Sequence, residues 1–342
     1  MKVRIAASSR LHLGFMDLNG SLGRLYGSIG VALSKPRTEI AVKTNSHLII
    51  QNVSDDRKRK ILNFVKAFSI YHAIDPNVTI RVDKSIPEHK GLGSGTQLAL
   101  SISAALAHIY DIQTDAHDLS VITGRGMRSG IGISSFEHGG LIVDSGKMRR
   151  KDGSFDARPP KAVVRYDFPA EWKFVIVVPE EKHGLSGEQE KKAIGFVHPS
   201  KRISEEICRL VMMKFLPALL EKDIEEFGSA LSEIDRRTGL FFVPVQGGIY
   251  SEKLSHKIID HLLVSGAYGA GQSSWGPAVY GLTLKSESDD VANCMTEFLE
   301  RNKIKGNVFI SSGLNRGAEV EILQFEKLYG MQEVGSHPFV PV

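Results

Sequence analysis

The arrangement of apolar and polar positions divides the chain into short strands and amphipathic helices. Asn77–Asp83, NVTIRVD, alternates apolar and polar residues, with Val78, Ile80 and Val82 on one face, which is the period of a half-buried strand. Val3–Ser8, Arg10–Phe15, Glu39–Val42 and His47–Gln51 predict further strands before it. Between them, Arg57–His72 carries Ile61, Val65 and Phe68 on one stripe and predicts a helix. A second helix follows the strand at Thr96–Tyr110, where Leu98, Ile102, Leu106 and Ile109 recur at helical spacing. Asp118–Arg125 predicts a short helix and Gly139–Gly146 a strand. In the second half, Trp172–Val178 is an apolar run of the kind found in buried strands. Helices are expected at Ser204–Leu220, kinked at Pro217, at Asp223–Asp235 and at Ser251–Ser265. A glycine-rich turn, a strand at Ala278–Leu284, a helix at Asp289–Asn302 and strands at Asn307–Ile310 and Ala318–Ile322 complete the pattern. The tail after Leu323 has no clear period.

This order predicts an α+β protein of two domains, residues 1–165 and 166–342. The charged, proline-containing stretch Gly146–Pro160 reads as a hairpin tip near the boundary, with Lys147, Arg149, Arg150 and Lys151 solvated. The net charge of +4 is too small to argue for nucleic acid, though it suits an anionic small substrate. No apolar run is long enough for a membrane span, and the alternating N-terminus reads as a strand and not a signal peptide. The two cysteines, Cys208 and Cys294, have no metal-site spacing and are expected as reduced core residues of a cytoplasmic protein.

Four stretches carry candidate chemistry. PEHKGLGSGTQLAL, Pro87–Leu100, places Gly91, Leu92, Gly93, Ser94 and Gly95 between a strand and a helix N-terminus, followed by Thr96. Free amide N–H groups and the helix dipole favour an anion there, and glycines let the backbone approach it. A tight turn with Ser94 and Thr96 as caps is the other reading. No Gly-Lys-Ser/Thr follows, so the stretch is not a P-loop. In the second stretch, Ser8–Leu33, Arg10 and His12 lie two apart and share a face of their strand, as an anion clamp or as surface groups paired with Asp17. The third, Gly124–Gly140, sets Arg125, Arg128, Ser129, Glu137 and His138 among six glycines. The fourth, Gly266–Leu282, carries Gln272, Ser273, Ser274 and Trp275 in a turn before a strand, as ligand contacts or as a core lid.

Together these stretches resemble the three motifs of the GHMP kinase superfamily: strand–PxxxGLGSG–helix, an N-terminal Arg/His/Asp hairpin, and a late Gly-Ala-Gly turn. The resemblance runs from Ser8 to Ile322. It implies a two-domain α+β fold with the active site in the interdomain cleft and a glycine loop that grips a polyphosphate. Where kinases with a catalytic aspartate carry Ser-Gly-Ile-Asp, this chain has Ser129-Gly130-Ile131-Gly132. The long words RLHLGFMDLNGSLGRLYGSIGVAL, SGIGISSFEHGGLIVDSG, TGLFFVPVQGGIY and GQSSWGPAVYGL resemble one branch, the beta-ribofuranosylaminobenzene 5'-phosphate synthases of methanopterin biosynthesis. That branch condenses 5-phosphoribosyl 1-pyrophosphate with 4-aminobenzoate, releasing carbon dioxide and pyrophosphate; 4-hydroxybenzoate is the alternative acid.

The resemblance assigns roles. Amides of Gly93–Thr96 would hold the pyrophosphate. Arg10 and His12 would face phosphate or carboxylate, with Arg125 and Arg128 as further cations. His138 with Glu137 would move protons, or serve structure alone. Glu88 and Asp17 would be the magnesium ligands. Gln246, Gln272, Ser273, Ser274 and Trp275 would line the second-domain wall. Mg2+ is expected as the cofactor, with no ATP, and a homodimer as the assembly. An ATP-dependent small-molecule kinase and a catalytically silent binding protein are the rival expectations.

Overall fold

The computed structural model describes residues 1–180, 200–250, 252–324 and 332–338, with side chains described as far as Leu323. The first sheet is built around a long hairpin, β1 (Lys2–Asp17) and β2 (Arg24–Thr44). β3 (Ile49–Gln51), α1 (Asp55–His72), β4 (Val78–Lys84), α2 (Ser94–Ile109), α3 (Ala116–Ile122), α4 (Ile131–Glu137), β5 (Leu141–Asp144), β6 (Lys147–Met148) and β7 (Ala162–Tyr166) follow. Among the described residues the spine of this sheet runs β13-β12-β1-β2-β4-β3, with β5 and β6 paired to β2 and β7 to β5. The C-terminal strands β12 (Glu319–Gln324) and β13 (Gln332–Pro338) therefore join the first sheet, although the sequence pattern placed them in a domain of residues 166–342.

The second half begins with β8 (Trp172–Pro179). Then come α5 (Lys201–Leu210), a π-helical turn at Val211–Phe215, α6 (Leu216–Glu221), α7 (Ile224–Gln246) and α8 (Lys253–Val264). β9 (Gly269–Gln272), β10 (Val279–Leu284), α9 (Ser288–Arg301) and β11 (Gly306–Ser312) complete it. Its sheet has the order β11-β8-β10-β9 and is antiparallel. Both faces are covered, which is why WKFVIVV is continuously apolar. Val175, Val177 and Val279 pack on Ile258, Leu262 and Met295 of α8 and α9. Phe174, Ile176 and Tyr280 face Phe215, Phe227 and Ile234 on the helical layer opposite.

β1 serves two cores. Val3, Ile5 and Ala7 pack with α1 and α2 against the first sheet, through Ile61, Phe68, Leu98 and Ile102. Leu11, Leu13 and Phe15 belong to the core of the second half. The strand changes allegiance at a register shift between Ser8 and Ser9, the two residues just before Arg10. The functional face of β1 therefore lies where the halves meet.

Several expectations change. Val3–Ser8 and Arg10–Phe15 are one strand, not two. The glycine-rich segment 124–140 contains α4, whose Ile131, Ile133 and Phe136 are buried. The helix expected to end at Asp235 runs on to Gln246, carrying Pro244 within it. Ser251, its successor's expected first residue, lies outside the described residues. The disruption expected at Pro217 takes the form of the preceding π-helical turn, and Pro217 itself sits in the first turn of α6, where a missing N–H costs least. Lys147 is buried, whereas Arg149, Arg150 and Lys151 are exposed. Both cysteines are free and exposed on the outer sides of α5 and α9, not in the core.

The stretch read as a glycine turn is the strand β9, and its glycines serve close approach. A Cβ on Gly269 would lie 2.2 Å from the Gly228 carbonyl oxygen, so α7 and β9 touch backbone to backbone. We expect Gly228→Ala, whose Cβ would sit 2.3 Å from the Tyr268 oxygen, to lower stability by about 1–3 kcal/mol, read as a drop in thermal midpoint. An unchanged midpoint would show that this contact relaxes freely.

Candidate active site

The glycine loop is shaped to expose amides. Gly91 and Gly93 have φ of 80° and 84°, conformations that side-chain-bearing residues rarely adopt. Gly93 is the N-cap of α2, and no side chain caps this helix, so Ser94 and Thr96 are not the caps of the alternative reading. The loop's carbonyls turn toward β1 instead. Leu92 O accepts the Arg10 N–H at 3.1 Å, and Gly91 O accepts both the Arg10 guanidinium and, at 2.7 Å, the Ser273 hydroxyl. The Thr96 and Gln97 N–H groups both donate to Gly93 O at 3.2 Å, and the amides of Ser94 and Gly95 stand ahead of them at the positive end of the helix dipole.

Two guanidinium groups flank those amides. A Cβ on Gly93 would lie 3.2 Å from Arg10 Cγ, and one on Gly95 would lie 3.2 Å from Arg125 Nη1. Arg125 lies over the Phe64 ring at 5.0 Å. Burial pulls the Arg125 pKa down and Glu88 acts in the opposite sense; the guanidinium remains charged. Arg10 from β1 and Arg125 from the segment after α3 thus both reach the loop. Gly132 also faces the loop helix, since a Cβ there would lie 3.1 Å from Thr96 Cγ2, and its carbonyl accepts Gln97 Nε2 at 2.7 Å.

The loop's other neighbour is the segment after β9. A Cβ on Gly91 would lie 2.2 Å from the Ser273 oxygen, and one on Gly276 would lie 2.3 Å from the Gly91 nitrogen. Ser273 bridges three elements: its hydroxyl donates to Gly91 O and accepts the His12 N–H at 3.0 Å. The Ser274 N–H donates to His12 O at 3.3 Å. Beside this junction lies a cavity with about 430 Å³ of space between its walls, part of it open to solvent. β1 contributes His12, Gly14 and Phe15; α7 contributes Asp235, Thr238, Gly239, Phe242 and Gln246; Gln272, Ser274 and Trp275 close the third side. Its walls are aromatic, with His12 4.7 Å from Phe15 and Trp275 4.4 Å from Phe242 between ring centroids. Gln246 and Gln272 direct their amide nitrogens to Ile249 O and Ser274 O.

His12 is not the cation that a clamp with Arg10 would need. Burial, helped by the Arg10 charge, pushes its pKa down to about 3, so the ring is neutral. Its Nε2 is buried without a hydrogen-bond partner among the described residues. Across the cavity, Asp235 is buried and pushed up to about 8 by that burial, although the Gln272 N–H and the Tyr250 hydroxyl both donate to it. Asp235 and Phe242 were absent from the sequence-based site because the helix appeared to end at residue 235. The available signal was an acid on the stripe of Phe227, Leu231 and Ile234, all of them buried.

Other candidates stand apart. Asp17 Oδ1 accepts N–H bonds from Asn19 and Gly20 and the Ser204 hydroxyl, which fixes the β1–β2 turn. Glu88 is held by Arg57 at 2.8 Å and by Lys60. Burial works to raise its pKa, but the hydrogen bonds from Lys60 and Arg57 prevail and hold it low. With Asp17 spent on the hairpin and Glu88 on α1, neither carboxylate fits the magnesium role, and among the described residues no group of three or more His, Cys, Asp or Glu could hold a metal ion. Arg128 and Ser129 remain in the loop before α4, where Ser129 Oγ accepts the Ile131 N–H. Glu137 and His138 sit at the far end of α4, 3.7 Å apart, and lie beside Gly317 and Arg165 rather than the cavity. Burial and Asp115 push Glu137 up to about 7. A residue not anticipated, Asp144, organises this region: its buried carboxylate accepts N–H groups from Ser28, Gly130 and Gly146.

Known proteins match this arrangement. Residues 59–140 match the GHMP kinases N terminal domain and residues 215–301 the GHMP kinases C terminal domain. The fold resembles Methanococcus jannaschii mevalonate kinase, with TM-score 0.65 and 17% identity over 91% of this chain and 98% of that one. It also resembles Staphylococcus aureus mevalonate diphosphate decarboxylase, with TM-score 0.66 and 18% identity over 93% and 97%. The sequence is 35% identical to beta-ribofuranosylphenol 5'-phosphate synthase of Methanothermobacter thermautotrophicus, over 92% of this chain and 97% of that protein. The chain belongs to the beta-ribofuranosylphenol 5'-phosphate synthase family. The protein of that name from Archaeoglobus fulgidus is 32% identical over 94% of this chain and 100% of its own length. Family members are pentosyltransferases on the GHMP kinase fold, and no helix among the described residues is long and apolar enough to cross a membrane.

The raised pKa of Asp235 sets a pH dependence. Its folded value of about 8 exceeds the ordinary 3.8, so folding favours the protonated acid. That contribution is complete below 3.8 and is lost as pH rises through 8. An amide does not titrate, so the thermal midpoint of Asp235→Asn, relative to the unmodified protein, should improve steadily from pH 4 to pH 8. A pH-independent difference would mean that Asp235 is ionised in the folded protein throughout.

Proposed function

We propose that this chain condenses 5-phosphoribosyl 1-pyrophosphate with 4-hydroxybenzoate, forming a C-riboside 5'-phosphate and releasing carbon dioxide and pyrophosphate in the methanopterin pathway. The observation that carries this reading is a pair of adjoining compartments. One is the glycine loop with Arg10 and Arg125 about uncapped amides, suited to a diphosphate. The other is the aromatic-walled cavity of His12, Phe15, Phe242 and Trp275, which has buried polar atoms on its walls. β1 contributes Arg10 to the first and His12 to the second, two residues apart on one face of the strand. The relatives' names support the choice of acid, since a riboside of phenol arises when a 4-hydroxy acid loses carbon dioxide. 4-Aminobenzoate becomes the comparison substrate.

The chain's own groups account for the chemistry in order. Departure of pyrophosphate places negative charge on the leaving oxygens, facing the α2 amides and the two guanidinium groups. One preorganised donor in a dry site contributes roughly 3 kcal/mol to such a step. The positive charge that builds at ribose C1 meets the ring carbon bearing the carboxylate, to which the 4-substituent supplies electron density. Attack opposite the leaving group inverts C1 once and gives the β-product. Breaking the carbon–carboxylate bond then restores aromaticity. The neutral His12 and the apolar rings keep water from the reacting carbon, and the two substrates are held together at a fixed distance. Asp17 and Glu88 do not fit a magnesium ion, because Asp17 serves the β1–β2 turn and Glu88 the cations of α1.

The kinase alternative is weakened by Gly132, which stands where kinases with a catalytic aspartate carry that residue. With labelled carboxyl, carbon dioxide and pyrophosphate should appear in equal amounts and without ATP. A strict ATP requirement, with ADP formed in step with product, would overturn the synthase reading.

Arg10 supplies a planar fork between Gly91 O and the loop that a lysine does not reproduce. Arg10→Lys should lower kcat/KM for the pyrophosphate donor by about 100-fold with little change in thermal midpoint. Near-normal kinetics would leave Arg125 as the principal cation at the loop.

A further inference from the structure

Two buried polar atoms on the walls of the aromatic cavity lack partners among the described residues: His12 Nε2 from the strand wall and Asp235 Oδ2 from the helix wall. Both side chains are more than nine-tenths buried. An unsatisfied polar atom in such a place is costly, and the cost is removed when a ligand supplies the missing partner. The two atoms are not equivalent. His12 is joined through its peptide to Ser273 and Ser274, and Arg10 two residues away lies on the loop, so His12 marks the diphosphate side. Asp235 is held from another direction, by the Gln272 N–H and the Tyr250 hydroxyl, with the buried Tyr280 hydroxyl close behind it. Gly271 makes room for this group, since a Cβ there would lie 2.6 Å from both Asp235 Cγ and the Tyr280 oxygen.

We propose that Asp235 binds the 4-substituent of the aromatic acid and holds the proton of its hydroxyl during the reaction, which makes Asp235 the residue that favours a hydroxy acid over an amino acid. This rests on the synthase reading above. The carboxylate-bearing carbon has to meet ribose C1 at the loop, so the 4-substituent points across the cavity from it. As the ring carbon bonds to C1 and the C1–oxygen pair leaves with pyrophosphate, the O–H bond breaks. Its electron pair becomes the carbonyl bond of a dienone, and the proton passes to the Asp235 carboxylate. When the carbon–carboxylate bond breaks, that pair restores the ring, the oxygen becomes a phenolate, and Asp235 returns the proton. Nothing is oxidised or reduced, and no proton is consumed. A 4-amino group needs no such partner, because its nitrogen carries the positive charge as an iminium and keeps both hydrogens. The ionised form of Asp235 is the one that accepts the proton; burial keeps the group protonated until the pH rises through about 8, so turnover of the hydroxy acid should increase with pH across that range.

The test measures kcat/KM with 4-hydroxybenzoate and 4-aminobenzoate, following pyrophosphate release. Asp235→Asn should lose about 100-fold with the hydroxy acid and less than about 5-fold with the amino acid. Equal losses on the two acids would overturn the proposal while leaving the synthase reading intact. The unmodified protein gives a second measurement that does not depend on the variant folding. 4-Methoxybenzoate has no proton to surrender and should react about 100-fold more slowly than 4-hydroxybenzoate. Equal rates for these two would again overturn the role of Asp235. If the unmodified protein releases no pyrophosphate with any of the acids, the synthase reading fails and the proposal fails with it.

Discussion

The junction of Gly91 with Ser273 and Gly276 holds the candidate site together. There the glycine loop of the first half meets the turn after β9 in the second, backbone against backbone, at a separation that no side chain would permit. Ser273 Oγ then joins Gly91 O to the His12 N–H, and Lys90 O accepts the Ala278 N–H beside it. Three distant pieces of chain are fixed by one buried hydroxyl and two glycines. The loop carbonyls Gly91 O and Leu92 O are occupied on the β1 side as part of this contact. Glycine here serves two separate needs, positive φ at Gly91 and close approach at Gly276.

Much of this was legible in the order of residues. Regular alternation at Val78–Val82 and helical spacing at Leu98–Ile109 placed the loop between a strand and a helix, and both elements are present. The words shared with the GHMP kinases implied the fold, and the family models match both halves. Arg10 and Arg125 both lie at the loop. Where the reading departed from the structure, the cause was long-range. Nothing local in TGLFFVPVQ announces that α7 continues past Asp235, because the rings that pack on Phe242, those of Phe15 and Trp275, come from remote positions. The return of β12 and β13 to the first sheet has the same origin, since strand pairing across three hundred residues leaves no local periodicity.

Charge was the least legible property. Arg10 and His12 share a face, yet one is a cation and the other is held neutral by the first and by burial. Glu88 stands near the loop, yet its oxygens belong to Arg57 and Lys60. Spacing identifies which groups can meet. Only the packing determines their protonation and their partners, because desolvation and neighbouring charges shift a buried group by several units.

The direct seating of α7 on its neighbours sets how this cavity can change. At Gly228 the helix rests on the backbone of β9, and at Gly239 a Cβ would strike the Ile249 oxygen at 2.3 Å. No side chain at these positions can be trimmed or enlarged to move the helix wall in or out. The depth of the cavity is therefore a property of the main chain. Its reach is set by the side chains that line it, the rings of Phe15, Phe242 and Trp275 foremost, so a lineage of such enzymes adapting to a bulkier acid would carry its record in those lining positions and leave the glycines of α7 untouched.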